Sequence, residues 1–495
     1  MTADFPLAEE IAYGDPLDLL GGAGESPFTL LLDSAAAPGD PRARFSYLCL
    51  DPVETFLLSP DDLAHAIRGE AEGGTDPLAW AQARLREWPA VSREDLPPFQ
   101  GGIAGLLGYE LGGAFERLPP PSRHGAAHPV VALGLYDVAV AFDHAQARAW
   151  IVSTGYPEKP VEERARRARR RLAEVRARLA SAAPPLGEPA VLEWTSDVPR
   201  ADYLRKVQTA IDYIHAGDVF QINLTRELAA KRPPGLSAAA LYRDMRQRTC
   251  APFSAYMSLP GDTAVCSFSP ERFLEVGPNR AVETRPIKGT RPRGAAPAED
   301  AALARELLAS EKDRAENLMI VDLLRNDLAR VSEIGSVKVP QLCGLESFGA
   351  VHHLVSVVTA RLREGTDAVD LLRVAFPGGS ITGAPKIRAM EIIHELERRR
   401  RGPYCGSLCW LGFDGQMDSS ILIRTIAVEP DRLRYGVGGG IVAESGPESE
   451  WQETVDKAAA FMAPANRPDP TSGTAQSGQA KQSGEPKEKQ RALRS

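Results

Sequence analysis

Much that would mark the chain as a specialised type is missing from it. No apolar run approaches the length of a membrane span, and the start, Met1-Thr2-Ala3-Asp4-Phe5, lacks the basic residues and apolar stretch of a secretory leader. Acidic residues outnumber basic ones, 66 to 58, so no overall attraction to nucleic acid or anionic lipid is expected. The six cysteines are scattered and include no C-x-x-C pair, which argues against a disulfide framework or a zinc site. No internal repeat is present. What remains is an ordinary globular balance, 43% hydrophobic and 25% charged, enough to bury a sizeable core. The expectation is a cytoplasmic enzyme with free thiols.

Three regions follow from the local pattern. Residues 1–185 mix short apolar runs, Phe28–Leu32 and Val130–Leu133 among them, with Pro and Gly breaks, as strands joined by turns do. Toward its end, arginine-rich residues 159–182 carry interspersed Glu and no accompanying aromatics. That predicts a solvated surface helix leading to a linker at Pro184-Pro185, not a nucleic-acid arm. Residues 190–465 are denser in regular signals. Tyr203, Val207, Ile211 and Ile214 fall on one helical face that ends near Gly217, and a strand follows over 219–224. One long helix is predicted over 298–328 and another after Pro385. Strands are expected at 410–413, 420–428 and 433–436. Residues 466–495 are Ser, Gly, Pro, Gln and Lys with almost nothing to bury, and predict a disordered tail.

Several constellations could carry chemistry. Asp313 and Glu316, three apart on the long helical pattern, share a face; Glu450 and Glu453 repeat the spacing, with Lys457 one turn on. Either pair alone reads as a solvated surface. If the two faced each other, Mg2+ would relieve their repulsion, because it takes one or two carboxylates and fills its remaining positions with water and substrate oxygens. Gly436-Val437-Gly438-Gly439-Gly440 and Gly378–Gly383 read as plain turns or as loops offering amides to an anion, with Arg424 and Lys457 as carboxylate partners. Lys288, in Pro286-Ile287-Lys288-Gly289-Thr290, is either a turn lysine or, if buried, a nucleophile.

Together these segments resemble the chorismate-utilising enzymes, a family that includes anthranilate, aminodeoxychorismate and isochorismate synthases. The matching stretches are Gly217–Leu224, Ser269–Phe273, Thr284–Thr290, Glu316–Leu328, His353–Ser356, Pro377–Met390, Ile423–Thr425 and Glu450–Ala458, in the family's order. Gly101–Glu110 and Leu31–Ala35 extend a looser likeness into the N-terminal region.

The resemblance implies an α/β (α+β) fold: two large, mostly antiparallel sheets packed as a sandwich, helices outside, the active site in the cleft between them. It implies that Glu316 and Glu453 hold Mg2+ against the ring carboxylate of chorismate, with Asp313 and Glu450 behind them. Arg424, Lys457 and the amides of Gly438, Gly439 and Gly440 would bind substrate carboxylates. His353, Thr382 and Tyr404 would line the ring pocket, and Glu271 would protonate the departing C4 hydroxyl. Within the family, the isochorismate branch carries a lysine where this chain has Gln221. Anthranilate synthases have Ala where aminodeoxychorismate synthases and this chain have Lys288. The resemblance therefore points to amination at C4 through a Lys288 adduct at C2, with ammonia supplied from glutamine by a partner amidotransferase. Anthranilate formation is the rival outcome, and a silent chorismate-binding subunit the rival of another kind. Leu32, Asp33 and Ser34 fall in a stretch similar to the family's tryptophan-binding motif. Gly438-Gly439-Gly440 departs from the more common Gly-Ala-Gly.

Overall fold

The computed structural model describes residues 5–20, 26–36, 40, 42–68, 76–88, 92–180, 192–348 and 351–462. The expected linker at Pro184-Pro185 and the tail from 466 lie outside them. Among the described residues the strands form two sheets, one of twelve strands and one of ten, and the paired strands run antiparallel. Both sheets draw on both halves of the sequence. Leu30–Asp33 pairs with Phe253–Leu259 in the larger sheet, and Gly102–Leu107 pairs with Ser407–Gly412 in the smaller.

The packing explains the patterning. Between the sheets lies an apolar layer drawn from both, including Leu30, Tyr47, Met257 and Val265 of the larger and Ala104, Leu106, Tyr136, Leu408 and Trp410 of the smaller. Strands buried on both faces need helices outside. The larger sheet is covered by the helices Val161–Leu179 and Ala238–Thr249, through Leu172, Val175, Tyr242 and Met245. The helices Arg200–His215 and Lys386–Glu397 cover its far end against Ile222, Leu224 and Ile441. This two-sheet sandwich is the fold expected from the sequence.

Three local expectations change. The predicted long helix is two, Pro297–Ala309 and Glu311–Ala329. Ser310 takes an extended conformation between them, and its hydroxyl caps the second by accepting from the Asp313 amide. The predicted strand over 420–428 is also two, Met417–Ile421 in the smaller sheet and Thr425–Val428 in the larger. The chain changes sheets between them, with Arg424 at φ 52° in the crossing. The arginine-rich helix, finally, is not merely solvated. Arg167 and Arg171 reach Asp137, whose side chain is 1% exposed, at 3.1 and 3.2 Å. Two cations offset the desolvation of that carboxylate, which pins the helix to the sheet.

Candidate active site

The sheet crossing opens a cavity of about 400 Å³. Its walls come from both sheets, and two helices close it. Asn223, Gly436, Gly438 and Gly440 belong to adjacent strands of the larger sheet. Ile287, Lys288 and His353 belong to paired strands of the smaller. Glu271 and Arg424 lie where the chain leaves one sheet for the other. The helices Glu311–Ala329 and Pro447–Met462 bring Lys312, Asp313, Glu316, Glu453 and Lys457. Of the residues singled out from sequence, Glu271, Lys288, Asp313, Glu316, His353, Tyr404, Arg424, Gly438, Gly440, Glu453 and Lys457 all line this one cavity.

Lys288 is half-buried and its amine donates to the Ser380 carbonyl at 3.4 Å. Gly289 makes that placement possible. It sits at φ +75°, and a Cβ there would lie 2.9 Å from the Asp313 carboxyl carbon, so only glycine lets this strand approach the helix so closely. Glu271 is buried, which pushes its carboxyl up to about 7; the Lys288 amine, the Ser380 hydroxyl and the Ile287 amide oppose that rise. Ser380 therefore touches both groups. Ser380 is not among the site residues named from the sequence, although it lies within the matching stretch Pro377–Met390 and beside Thr382. His353 hydrogen-bonds the Thr290 hydroxyl at 3.0 Å; burial first, then the nearby Arg424, lowers its pKa to about 4. Its imidazole is thus neutral at pH 7, suited to polar contact rather than charge pairing.

Glu316 and Glu453 line the same cavity, and the Lys312 amine lies between the two helices, 4.0 Å from Glu316 and 3.8 Å from Glu450. Burial raises the Glu316 carboxyl above its ordinary range, and Glu453 and Asp313 add to the rise against Lys288 and Lys312. Glu453 is also desolvated, but Lys457, at 2.6 Å, with Lys312 and Lys288 outweighs that and lowers it. Asp313 is paired with Arg291 at 3.4 Å. Glu450 stands behind the wall: one oxygen accepts from the Ser445 hydroxyl at 2.6 Å, and Oε2 is buried without a hydrogen-bond partner. A Cβ on Gly439 would meet Glu450 Oε2 and Glu453 Oε1 at 3.1 Å each, so glycine leaves room for two carboxylates at one point. Among the described residues no three acidic, His or Cys side chains converge into a ready-made metal cage. The carboxylates of this wall, already partnered by Lys457, Arg291 and Lys312, offer oxygen ligands, and the orphaned Glu450 oxygen behind them suits Mg2+, which keeps water and substrate oxygens in most of its positions.

Three expectations need correcting. Gly436–Gly440 form no loop; they lie inside the strand Arg432–Ile441, Gly440 opposite Asn223 and Gly438 opposite Thr225. Glycine is required because a Cβ on Gly436 would meet the Tyr404 ring at 2.2 Å and one on Gly440 the Gln221 amide at 2.5 Å. On the strand's other edge the ladder with Thr425–Val428 ends at Tyr435, leaving alternate backbone groups beyond it without a strand partner. Gly439 is not in the cavity wall, as it faces the two glutamates. Nor is Thr382: it is fully buried and its hydroxyl donates to the Gly378 carbonyl at 2.9 Å.

A second, larger cavity of about 560 Å³ is lined by Leu32, Asp33 and Ser34 together with Arg42, Phe253, Trp410 and others. The Asp33 carboxylate is already held by Arg246 and by the Tyr242 hydroxyl at 2.8 Å.

A two-sheet sandwich with lysines, two arginines and carboxylates gathered in one cleft is the fold and site this chain presents. The chain belongs to the chorismate binding enzyme family, whose match covers residues 34–463. It is 43% identical over 440 residues to the aminodeoxychorismate synthase component 1 of Salmonella typhimurium, covering 88% of this chain and 93% of the relative. It is 40% identical over 457 residues to the anthranilate synthase component 1 of Streptomyces coelicolor, covering 90% and 85%. Among solved structures it is similar to the anthranilate synthase component I of Streptococcus pneumoniae, with a TM-score of 0.72 and 30% identity over 86% of this chain and 93% of that one.

Proposed function

We propose that the chain is the chorismate-aminating component of an aminodeoxychorismate synthase, making 4-amino-4-deoxychorismate from chorismate and ammonia. The observation that carries this reading is Lys288 in the cavity beside Glu271. Anthranilate synthases have alanine at that position and aminate at C2. A lysine amine there takes C2 for itself and leaves C4 to ammonia.

The residues suit that sequence of events. Glu271, protonated below about pH 7, gives its proton to the C4 hydroxyl, which leaves as water while the Lys288 amine bonds to C2 and the ring double bond shifts. Ammonia then bonds to C4 and the Lys288 amine departs from C2, reversing the shift. Glu271 regains its proton from the newly bound nitrogen. The balance is chorismate plus ammonia giving product plus water. Arg424 and Lys457 supply cations for the substrate carboxylates, and neutral His353 and Tyr404 flank the ring. Glu316 and Glu453 would hold Mg2+, which when bound anchors the ring carboxylate. Glu450 and Asp313 would support them.

Ammonia comes, on this reading, from a separate glutamine amidotransferase, and the "component 1" in the relatives' names accords with a second component. Among the described residues no helix is long and apolar enough to cross a membrane; a cytoplasmic setting is part of the proposal. The larger cavity is proposed to take tryptophan at Leu32–Ser34. The test of the main reading is product analysis. Anthranilate with pyruvate release would refute it, and a non-aromatic amino product that an added lyase converts to 4-aminobenzoate would support it.

A further inference from the structure

Behind the cavity lies a buried charged cluster that the proposed chemistry does not use. Arg401 and Glu397, each 1% exposed, form an ion pair with bonds of 2.7 and 3.0 Å. The Tyr109 ring covers the guanidinium at 4.5 Å. Glu110 accepts from the amides of Arg401 and Gly402 at 2.7 and 3.1 Å. Tyr109 and Glu110 end the N-terminal stretch Gly101–Glu110, which no step of the chemistry needs. Here they clasp the turn that leads to Tyr404 in the cavity wall.

A plain structural pair would stop there. The rest of the guanidinium does not: it donates to the Ile381 carbonyl at 3.0 Å and the Asn223 carbonyl at 2.6 Å. Both acceptors belong to residues lining the cavity. Ile381 follows Ser380, whose carbonyl accepts from Lys288 and whose hydroxyl binds Glu271. A planar fork of five N–H groups can satisfy Glu397 and both carbonyls at once; an ammonium, a compact point charge, cannot match that geometry.

We propose that Arg401 is a positioning residue: it fixes the Gly378–Thr382 turn against the strand Gln221–Lys231 and, through Ser380, sets the separation of the Glu271 carboxyl and the Lys288 amine. The proposal rests on the reading of those two groups as acid and nucleophile.

The test uses the full chain with ammonia as the nitrogen source. Arg401→Lys keeps the charge on Glu397 but loses the fork; it should lower kcat at least about tenfold while chorismate KM changes less than about threefold. Ser380→Ala should do the same, and the double variant should be little worse than the poorer single one, because both act on one contact. If Arg401→Lys does not fold, Tyr109→Leu spares the ion pair while loosening the guanidinium, and should lower kcat about threefold. An effect of Arg401→Lys on KM or melting temperature alone, effects that multiply with Ser380→Ala, or an unchanged kcat in Tyr109→Leu would overturn the proposal. Lys288→Ala and Glu271→Gln, run alongside, test the underlying reading separately. Full kcat in those two would remove the acid and nucleophile assignments whatever Arg401 does.

Discussion

Lys288 and Glu271 meet at a single residue: the Ser380 carbonyl accepts from the lysine amine at 3.4 Å, and the Ser380 hydroxyl bonds the glutamate carboxyl. On the proposed function these are nucleophile and acid, and two groups tied to one short turn keep their spacing when substrate arrives; positioning of that kind is a large part of catalysis. Lys288→Ala should therefore lower 4-amination by a factor of about 1,000 or more. Intact mass after acid quench should show a chorismate adduct on the native chain and none on the variant. Unchanged rate and product would remove Lys288 from the mechanism.

The second prediction concerns pH. Burial raises the Glu271 carboxyl to about 7, so its proton is present below that pH and lost above it. At fixed free-ammonia concentration, kcat/KM should fall as pH rises through about 7, reporting the free enzyme. The linked stability has the same direction. A carboxyl raised from 4.5 makes the native chain bind more protons than the unfolded one between about 4.5 and 7, so stability falls as pH rises across that window. Glu271→Gln should lose both dependences; a native-like pH profile in that variant contradicts the assignment.

Divalent-cation binding forms the third prediction. Glu316→Gln and Glu453→Gln should each weaken Mg2+ binding about tenfold or more, read by calorimetry with chorismate present and by the Mg2+-dependent rise in melting temperature. Native affinity in both variants would place the cation elsewhere.

Gly289 supplies a fourth. Gly289→Ala puts a Cβ 2.9 Å from the Asp313 carboxyl carbon at a φ of +75°, so the chain should lose about 1 kcal/mol of stability or more. Activity should fall further than stability explains, because the strand carrying Lys288 must shift. A denaturant midpoint and rate equal to those of the native chain would show that the strand does not need this approach.

Tryptophan supplies the fifth. Added to the chain, it should raise the melting temperature through the cavity at Leu32–Ser34. No change in melting temperature or activity at millimolar tryptophan would sink that assignment.

Much of this was legible in the sequence because the residues that carry it stand in ordered motifs. Lys288, Glu271, Glu316 and Glu453 stand in stretches that resemble the chorismate-utilising family, and all four line one cavity. What was not legible depends on packing. Arg401 closes a run of four arginines from Arg398 that carries no sign of burial in the sequence, yet its side chain is 1% exposed. The switch of sheets at Arg424 leaves no trace in apolar alternation, since strands on either side look alike. Gly436–Gly440 suggested a loop by composition, whereas the strand needs glycine because Tyr404 and the two glutamates crowd its faces. Ser380 stood in the matching stretch Pro377–Met390, but nothing in the sequence showed that its carbonyl and hydroxyl would meet Lys288 and Glu271.

The central claim is that this cavity aminates chorismate at C4, and product identity tests it most directly. Purified chain, chorismate, Mg2+ and ammonium at mildly alkaline pH should give 4-amino-4-deoxychorismate without pyruvate release. Fluorescent anthranilate with stoichiometric pyruvate would contradict it.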